Sequence, residues 1–205
     1  MINGIERIGI YGGTFSPIHN GHITAARAFL EQMKLDKVLI VPTYIPPHKK
    51  IDIVDDPWHR LNMCNIAFTN DDQIEVSDVE ISRGGCSYTI DTLRSLESEK
   101  RKLFLLCGTD MMLTFDQWKN AEQIFKICCP IYIRRESDFA LNNKIISKNN
   151  EYYQKYGMAF RRIVTDPIEI SSSEIRSMIK SGEDVSAFVP PQVIDYIKGN
   201  NLYVL

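Results

Sequence analysis

The stretch Ile8-Gly9-Ile10-Tyr11-Gly12-Gly13-Thr14-Phe15-Ser16-Pro17-Ile18-His19-Asn20-Gly21-His22 constrains the chain more than any other. Ile8 and Ile10 belong to a short apolar run suited to an interior strand, and that run breaks at a glycine pair. Gly12 and Gly13 allow positive φ and let a polyanion approach bare backbone. A helix then opens near Asn20 with Ile23, Ala26 and Leu30 on one face, so its first N–H groups and positive dipole end point back at the glycines. His19 and His22, three residues apart, fall on the same side of the first turn. This is the layout of a phosphate site. Neither G-x-G-x-x-G nor G-x-x-x-x-G-K-[ST] is present, which excludes a dinucleotide fingerprint and a P-loop.

Downstream, apolar runs alternate with helical periodicity. Strands are expected at residues 5–10, 37–41, 74–76, 103–107, 127–133 and 159–164, and helices at 20–33, 57–68, 89–99, 137–156, 172–180 and 190–198. That alternation predicts a doubly wound, mainly parallel α/β sheet, in which ligands bind beyond the carboxyl ends of the strands. One domain of 205 residues is expected, with residues 165–205 as a small helical C-terminal part.

Further polar clusters follow the expected strands. Pro46-Pro47-His48-Lys49 ends a stiffened loop after the second strand and presents His48 and Lys49, suited to an anion or to ordinary solvation. Ser87-Tyr88-Thr89 leads from a glycine turn into a helix, as an N-cap or as a second donor cluster. Gly108 at a strand end permits close backbone approach, and Asp110 suits a helix cap or an acceptor for ribose hydroxyls. Trp118 has a flat face that stacks on a ring or packs in the core. Arg134 and Arg135 end the next strand and suit phosphate, carboxylate or solvent. Ser171-Ser172-Ser173-Glu174-Ile175-Arg176 caps a short helix, with Arg176 one turn inside.

These motifs together resemble the nicotinate-nucleotide adenylyltransferases, a group of nucleotidyltransferases with a T/HxGH motif. The family pattern GGTFDPxHxGH is matched by Gly12 to His22, with Ser16 where an aspartate is usual. Pro46-Pro47-His48-Lys49, the Ser87-Tyr88-Thr89-Ile90-Asp91-Thr92-Leu93 run and Trp118 match the pyridine-nucleotide branch, and ISSSEIR resembles the family's ISSTxIR with the hydroxyl kept at Ser173. The resemblance implies a Rossmann-like nucleotidyltransferase fold that moves AMP from ATP onto nicotinate mononucleotide. It implies ATP contacts from Gly12, Gly13, Thr14, Phe15, His19, His22, Ser172, Ser173 and Arg176, with His19, His22 and Arg176 catalytic. It implies acceptor contacts from His48, Lys49, Tyr88, Thr89, Gly108, Asp110, Trp118 and Arg134. Mg2+ is expected to arrive with the ATP, since no dedicated carboxylate cluster is visible. Nicotinamide mononucleotide or phosphopantetheine as acceptor, and a nucleotide-binding regulator, are the alternatives.

Composition narrows the setting. A net charge of -2 and a pI near 6.1 argue against nucleic acid or a membrane surface as partner. The apolar runs are too short to span a bilayer, and the first residues lack a signal-peptide core, so a cytoplasmic protein is expected. A homo-oligomer is compatible with this reading. Five cysteines lack C-x-x-C spacing, and Cys107, Cys128 and Cys129 lie in apolar runs, so reduced thiols are expected and no metal site.

Overall fold

The protein is described by a computed structural model over residues 4–47, 55–134, 139–165 and 170–204. In chain order it forms β1 (Glu6–Gly13), α1 (Asn20–Gln32), β2 (Lys37–Pro42), α2 (Pro57–Ala67), β3 (Ile74–Val76), α3 (Val79–Arg83), α4 (Thr89–Leu96) and β4 (Arg101–Gly108). There follow α5 (Thr109–Leu113), a 3-10 turn at Phe115–Gln117, α6 (Ala121–Ile127), β5 (Cys128–Ile133), α7 (Phe139–Tyr156), β6 (Arg161–Ile163), α8 (Ser172–Ser181) and α9 (Pro191–Gly199).

The strands form one sheet in the order β3-β2-β1-β4-β5-β6, with every ladder parallel. Helices cover both faces, which is why the strands read as unbroken apolar runs. Tyr11, Val38, Ile40, Phe104, Leu106 and Ile131 share one core with residues of α1, α2, α8 and α9, such as Phe29, Met63, Ile175 and Val193. Ile8, Ile10, Leu103, Leu105 and Cys107 turn the other way, against Ile90, Met112, Phe125 and Tyr152. Each such large side chain contributes about 1.5–3 kcal/mol on burial.

The ladder between β1 and β2 runs from Ile8↔Lys37 to Gly13↔Pro42, whereas that between β1 and β4 stops at Tyr11↔Leu106. A crevice therefore opens beside Gly12, where the strand order reverses direction, the place at which doubly wound sheets take ligands. Among the described residues, no helix is long and apolar enough to cross a membrane.

One expectation needs correction. Strand β1 continues through both glycines, because Gly12 and Gly13 pair with Val41 and Pro42, and the left-handed residue of the following turn is Phe15 (φ 52°). The polar stretch expected as a helix over 137–156 is helical throughout its described part, Phe139–Tyr156, and is docked, with Tyr152 1% exposed and donating from its hydroxyl to the Met112 carbonyl at 2.8 Å.

Candidate active site

The two glycines at the end of β1 serve different ends. A Cβ on Gly13 would lie 2.8 Å from the Phe15 ring, so that residue makes room for packing. A Cβ on Gly12 would meet nothing nearer than the Val41 carbonyl oxygen at 3.9 Å, so the space over Gly12 is open towards the crevice. Phe15 is 2% exposed and sets its ring edge-on to Tyr11 (5.5 Å) and His22 (5.0 Å). What Phe15 offers the crevice is backbone.

Helix α1 begins with imidazoles in place of the usual hydroxyl and carboxylate. His19 is the N-cap, and His19 and His22 occupy the two positions of a capping box. The His19 N–H donates to His22 Nδ1 at 3.3 Å, and the rings lie 3.7 Å apart at 33°. An accepting Nδ1 puts the proton of neutral His22 on Nε2, leaving that nitrogen a donor on a half-buried ring. No acidic residue lies in the first turn of α1, so no carboxylate of that turn competes for its N–H groups.

Helix α8 brings a second mouth to the same place. Its own start is closed by Ser171, whose Oγ accepts from the Glu174 N–H at 3.2 Å, and by Glu174, which accepts from the Ser171 N–H at 2.8 Å. Ser172 Oγ donates to the Pro17 carbonyl at 2.9 Å and Arg176 Nη1 to the Ser16 carbonyl at 2.7 Å. Arg176 Nη2 also donates to Ser173 Oγ at 3.2 Å, and the Asn20 N–H donates to the Phe188 carbonyl at 2.7 Å. Two helix starts, two imidazoles and a guanidinium thus converge on the turn after β1.

The opposite wall is built from two loops paired to each other. Ile45 bridges Cys86, Ser87 Oγ accepts from the Tyr44 N–H at 2.8 Å, and the Ser87 N–H donates to the Ile45 carbonyl at 2.8 Å. Behind them Glu80 is 5% exposed and accepts from Thr92 Oγ1 at 2.6 Å; burial pushes its carboxyl up, partly offset by Thr92, Ser87 and Arg83. Tyr88 caps α4, Thr89 is its first residue, and Lys119 Nζ stands 3.9 Å over the Tyr88 ring. At the end of β4, the Asp110 carboxylate folds back to within 2.7 Å of where a Gly108 Cβ would stand. Trp118 is half-buried with its ring 4.6 Å from that of Phe115, and Arg134 at the end of β5 donates to Asn142. Because the sheet is parallel, Gly12, Gly108 and Arg134 all lie along one edge. His48 and Lys49 fall outside the described residues.

The cytidylyltransferase-like family model matches residues 10–178. A "Probable nicotinate-nucleotide adenylyltransferase" of Thermoanaerobacter sp. (strain X514) is 36% identical over 200 residues, covering 96% of this chain and 94% of that protein. The chain belongs to the cytidylyltransferase-like family, among the nicotinate-nucleotide adenylyltransferases. A second such adenylyltransferase, from Borreliella burgdorferi, is 35% identical over 202 residues, covering 97% of each chain. The fold is shared with the solved structure of Plasmodium falciparum nicotinic acid mononucleotide adenylyltransferase complexed with NaAD, at 23% identity, TM-score 0.76 and 97% coverage of both chains.

One residue that ties the walls of this candidate site together is not legible as such in the sequence. Arg60 on α2 is 0% exposed and donates to the carbonyls of Thr14 (2.9 Å) and Tyr44 (3.3 Å), so one buried cation holds the turn after β1 to the loop after β2. Burial lowers its pKa, while neighbouring Asp55 favours the charge. The available signal is its place on the apolar face of α2, beside Leu61 and four residues before Cys64.

Proposed function

We propose that this chain transfers the adenylyl group of ATP to nicotinate mononucleotide, giving nicotinate adenine dinucleotide and pyrophosphate in NAD biosynthesis. The observation that carries the nucleotide half of this reading is the meeting of the α1 and α8 mouths, fastened by the Arg176 to Ser16 hydrogen bond of 2.7 Å. Full-length relatives named for this reaction support the acceptor. A 5′-phosphate oxygen of nicotinate mononucleotide attacks the α-phosphorus of ATP in line. The new P–O bond forms as the bond to the β-phosphate oxygen breaks, and pyrophosphate takes the electron pair. His22 Nε2–H, the N–H groups around Thr14 and His19, and Arg176 stabilise the charge that builds on the α-phosphate and leaving group. No protein nucleophile takes part.

Gly12 leaves room for the nucleotide against the strand end, and Ser172 and Ser173 present the start of α8. Tyr88, Thr89, Gly108, Asp110 and Trp118, with His48, Lys49 and Arg134, form the acceptor side in this reading. The mouths offer N–H, imidazole and guanidinium groups, and no group of three His, Cys, Asp or Glu ligands is assembled among the described residues. That donor set does not fit a protein-held cation, so in this reading Mg2+ belongs to the MgATP substrate. The whole chain acts as one domain, with residues 165–205 contributing the second mouth. Free thiols at all five cysteines support a cytoplasmic setting.

The test is pyrophosphate release from MgATP with nicotinate mononucleotide, nicotinamide mononucleotide or phosphopantetheine supplied separately. Release with the first far above the others is expected. Release with another acceptor alone would reassign the acceptor side, and silence with all three would favour a nucleotide-binding regulator.

A further inference from the structure

Beneath the turn that carries the histidines lies a cluster of side chains that the reaction does not use. Ser16 is 4% exposed, and its hydroxyl lies 3.1 and 3.0 Å from the two carboxylate oxygens of Asp55. The Tyr203 hydroxyl, near the end of the chain, donates to Asp55 Oδ2 at 2.5 Å. Arg60 Nε stands 3.6 Å from Asp55 Oδ1, with both side chains almost wholly buried. That same guanidinium holds the Thr14 and Tyr44 carbonyls, while Arg176 holds the carbonyl of Ser16 itself. A guanidinium with no solvent contact needs a buried counter-charge to stay where it is, and Asp55 provides it.

Residue 16 is also where this chain departs from the GGTFDP pattern, with Ser16 in the aspartate's place. We infer that Asp55 supplies, from the segment ahead of α2, the carboxylate that the family pattern carries at residue 16, and is the positioning residue of the Thr14–Ser16 turn. The two positions touch across 3.0 Å, with Ser16 as the hydrogen-bond donor to the Asp55 carboxylate. Positions 16 and 55 are therefore coupled. Two carboxylates there would repel in a buried site, and none would leave Arg60 uncompensated. Through Arg60, Asp55 acts on both walls of the crevice: on Thr14 at the nucleotide side and on Tyr44 at the acceptor side.

The experiment compares Ser16→Asp, Asp55→Ser and the exchange Ser16→Asp/Asp55→Ser with the natural chain. The readouts are thermal melting, ATP affinity by calorimetry, and kcat and KM for ATP in pyrophosphate release. Each single variant is expected to melt lower and to bind ATP at least tenfold more weakly, with the exchange returning to within about threefold of the natural chain. Single variants that match the natural chain, or an exchange whose losses are the product of the two single losses, would overturn the inference. If the single variants do not fold, a folded, ATP-binding exchange supports it and an unfolded exchange overturns it. Asp55→Asn keeps the shape and removes the charge; it is expected to raise KM for ATP more than it lowers kcat, and equal effects on both would indicate general loosening. The inference rests on the nucleotide half of the proposed function, but the melting and ATP-binding arms need no acceptor, so failure of the acceptor reading shows separately.

Discussion

Gly12 and Gly13 are neighbours with opposite sensitivities. Alanine at 13 drives a methyl into the Phe15 ring, and overpacking of this kind costs about 1–3 kcal/mol. Alanine at 12 points into open space, so Gly12→Ala is expected to melt with the natural chain while losing ATP affinity at least tenfold. Calorimetry of both variants with ATP separates the two effects, and a Gly12→Ala chain that binds ATP normally would move the nucleotide away from the end of β1. The residues of this turn also show what a sequence conveys. The histidines and glycines are conspicuous by type and spacing. The roles of Phe15 and Arg60 are not, because one adopts a left-handed backbone that its residue type rarely takes, and the other is a cation on an otherwise apolar helix face.

Among the elements, α7 is fastened by polar groups that titrate. Lys148 Nζ lies 3.0 Å from Asp116 Oδ2 in the turn after α5, and the Tyr152 hydroxyl is 3.3 Å from Asp116 Oδ1. Burial opposes ionisation of Asp116, but Lys148 and Tyr152 outweigh it and hold the carboxyl below the usual carboxylate range. A lowered value in the folded chain means that the stabilisation is fully present above the unfolded value, about pH 4, and is lost as pH falls through the folded value. Urea midpoints should therefore fall less steeply on acidification for Asp116→Asn than for the natural chain, and Asp116→Asn should be the weaker of the two at pH 7. Parallel acid slopes would mean that this pair does not fasten the helix. The long periodic helices and apolar strands are legible within a few residues. The helices α3, α5 and α6 are not, since five to seven residues span less than two full periods and leave no pattern to read. Strand β1 is legible at its start and obscured at its end, because a glycine pair reads as a break although the ladder continues through it.

For the molecule as a whole, the doubly wound order places Cys64, Cys107 and Cys128 inside the two cores, and burial pushes all three thiols up. Cys86 and Cys129 are partly exposed. Mass spectrometry after brief alkylation of the native protein should find label at Cys86 and Cys129 alone, with the other three reacting on unfolding. Native labelling of Cys64, Cys107 or Cys128 at the rate of an open thiol would show that the core breathes. The crevice, by contrast, joins residues far apart along the chain: Ser172 reaches back 155 positions to Pro17, and Arg176 reaches back 160 to Ser16. During synthesis on a ribosome the first mouth emerges long before the second. A nascent chain therefore carries the histidines without their guanidinium partner, and competence for the nucleotide arrives only once α8 has followed.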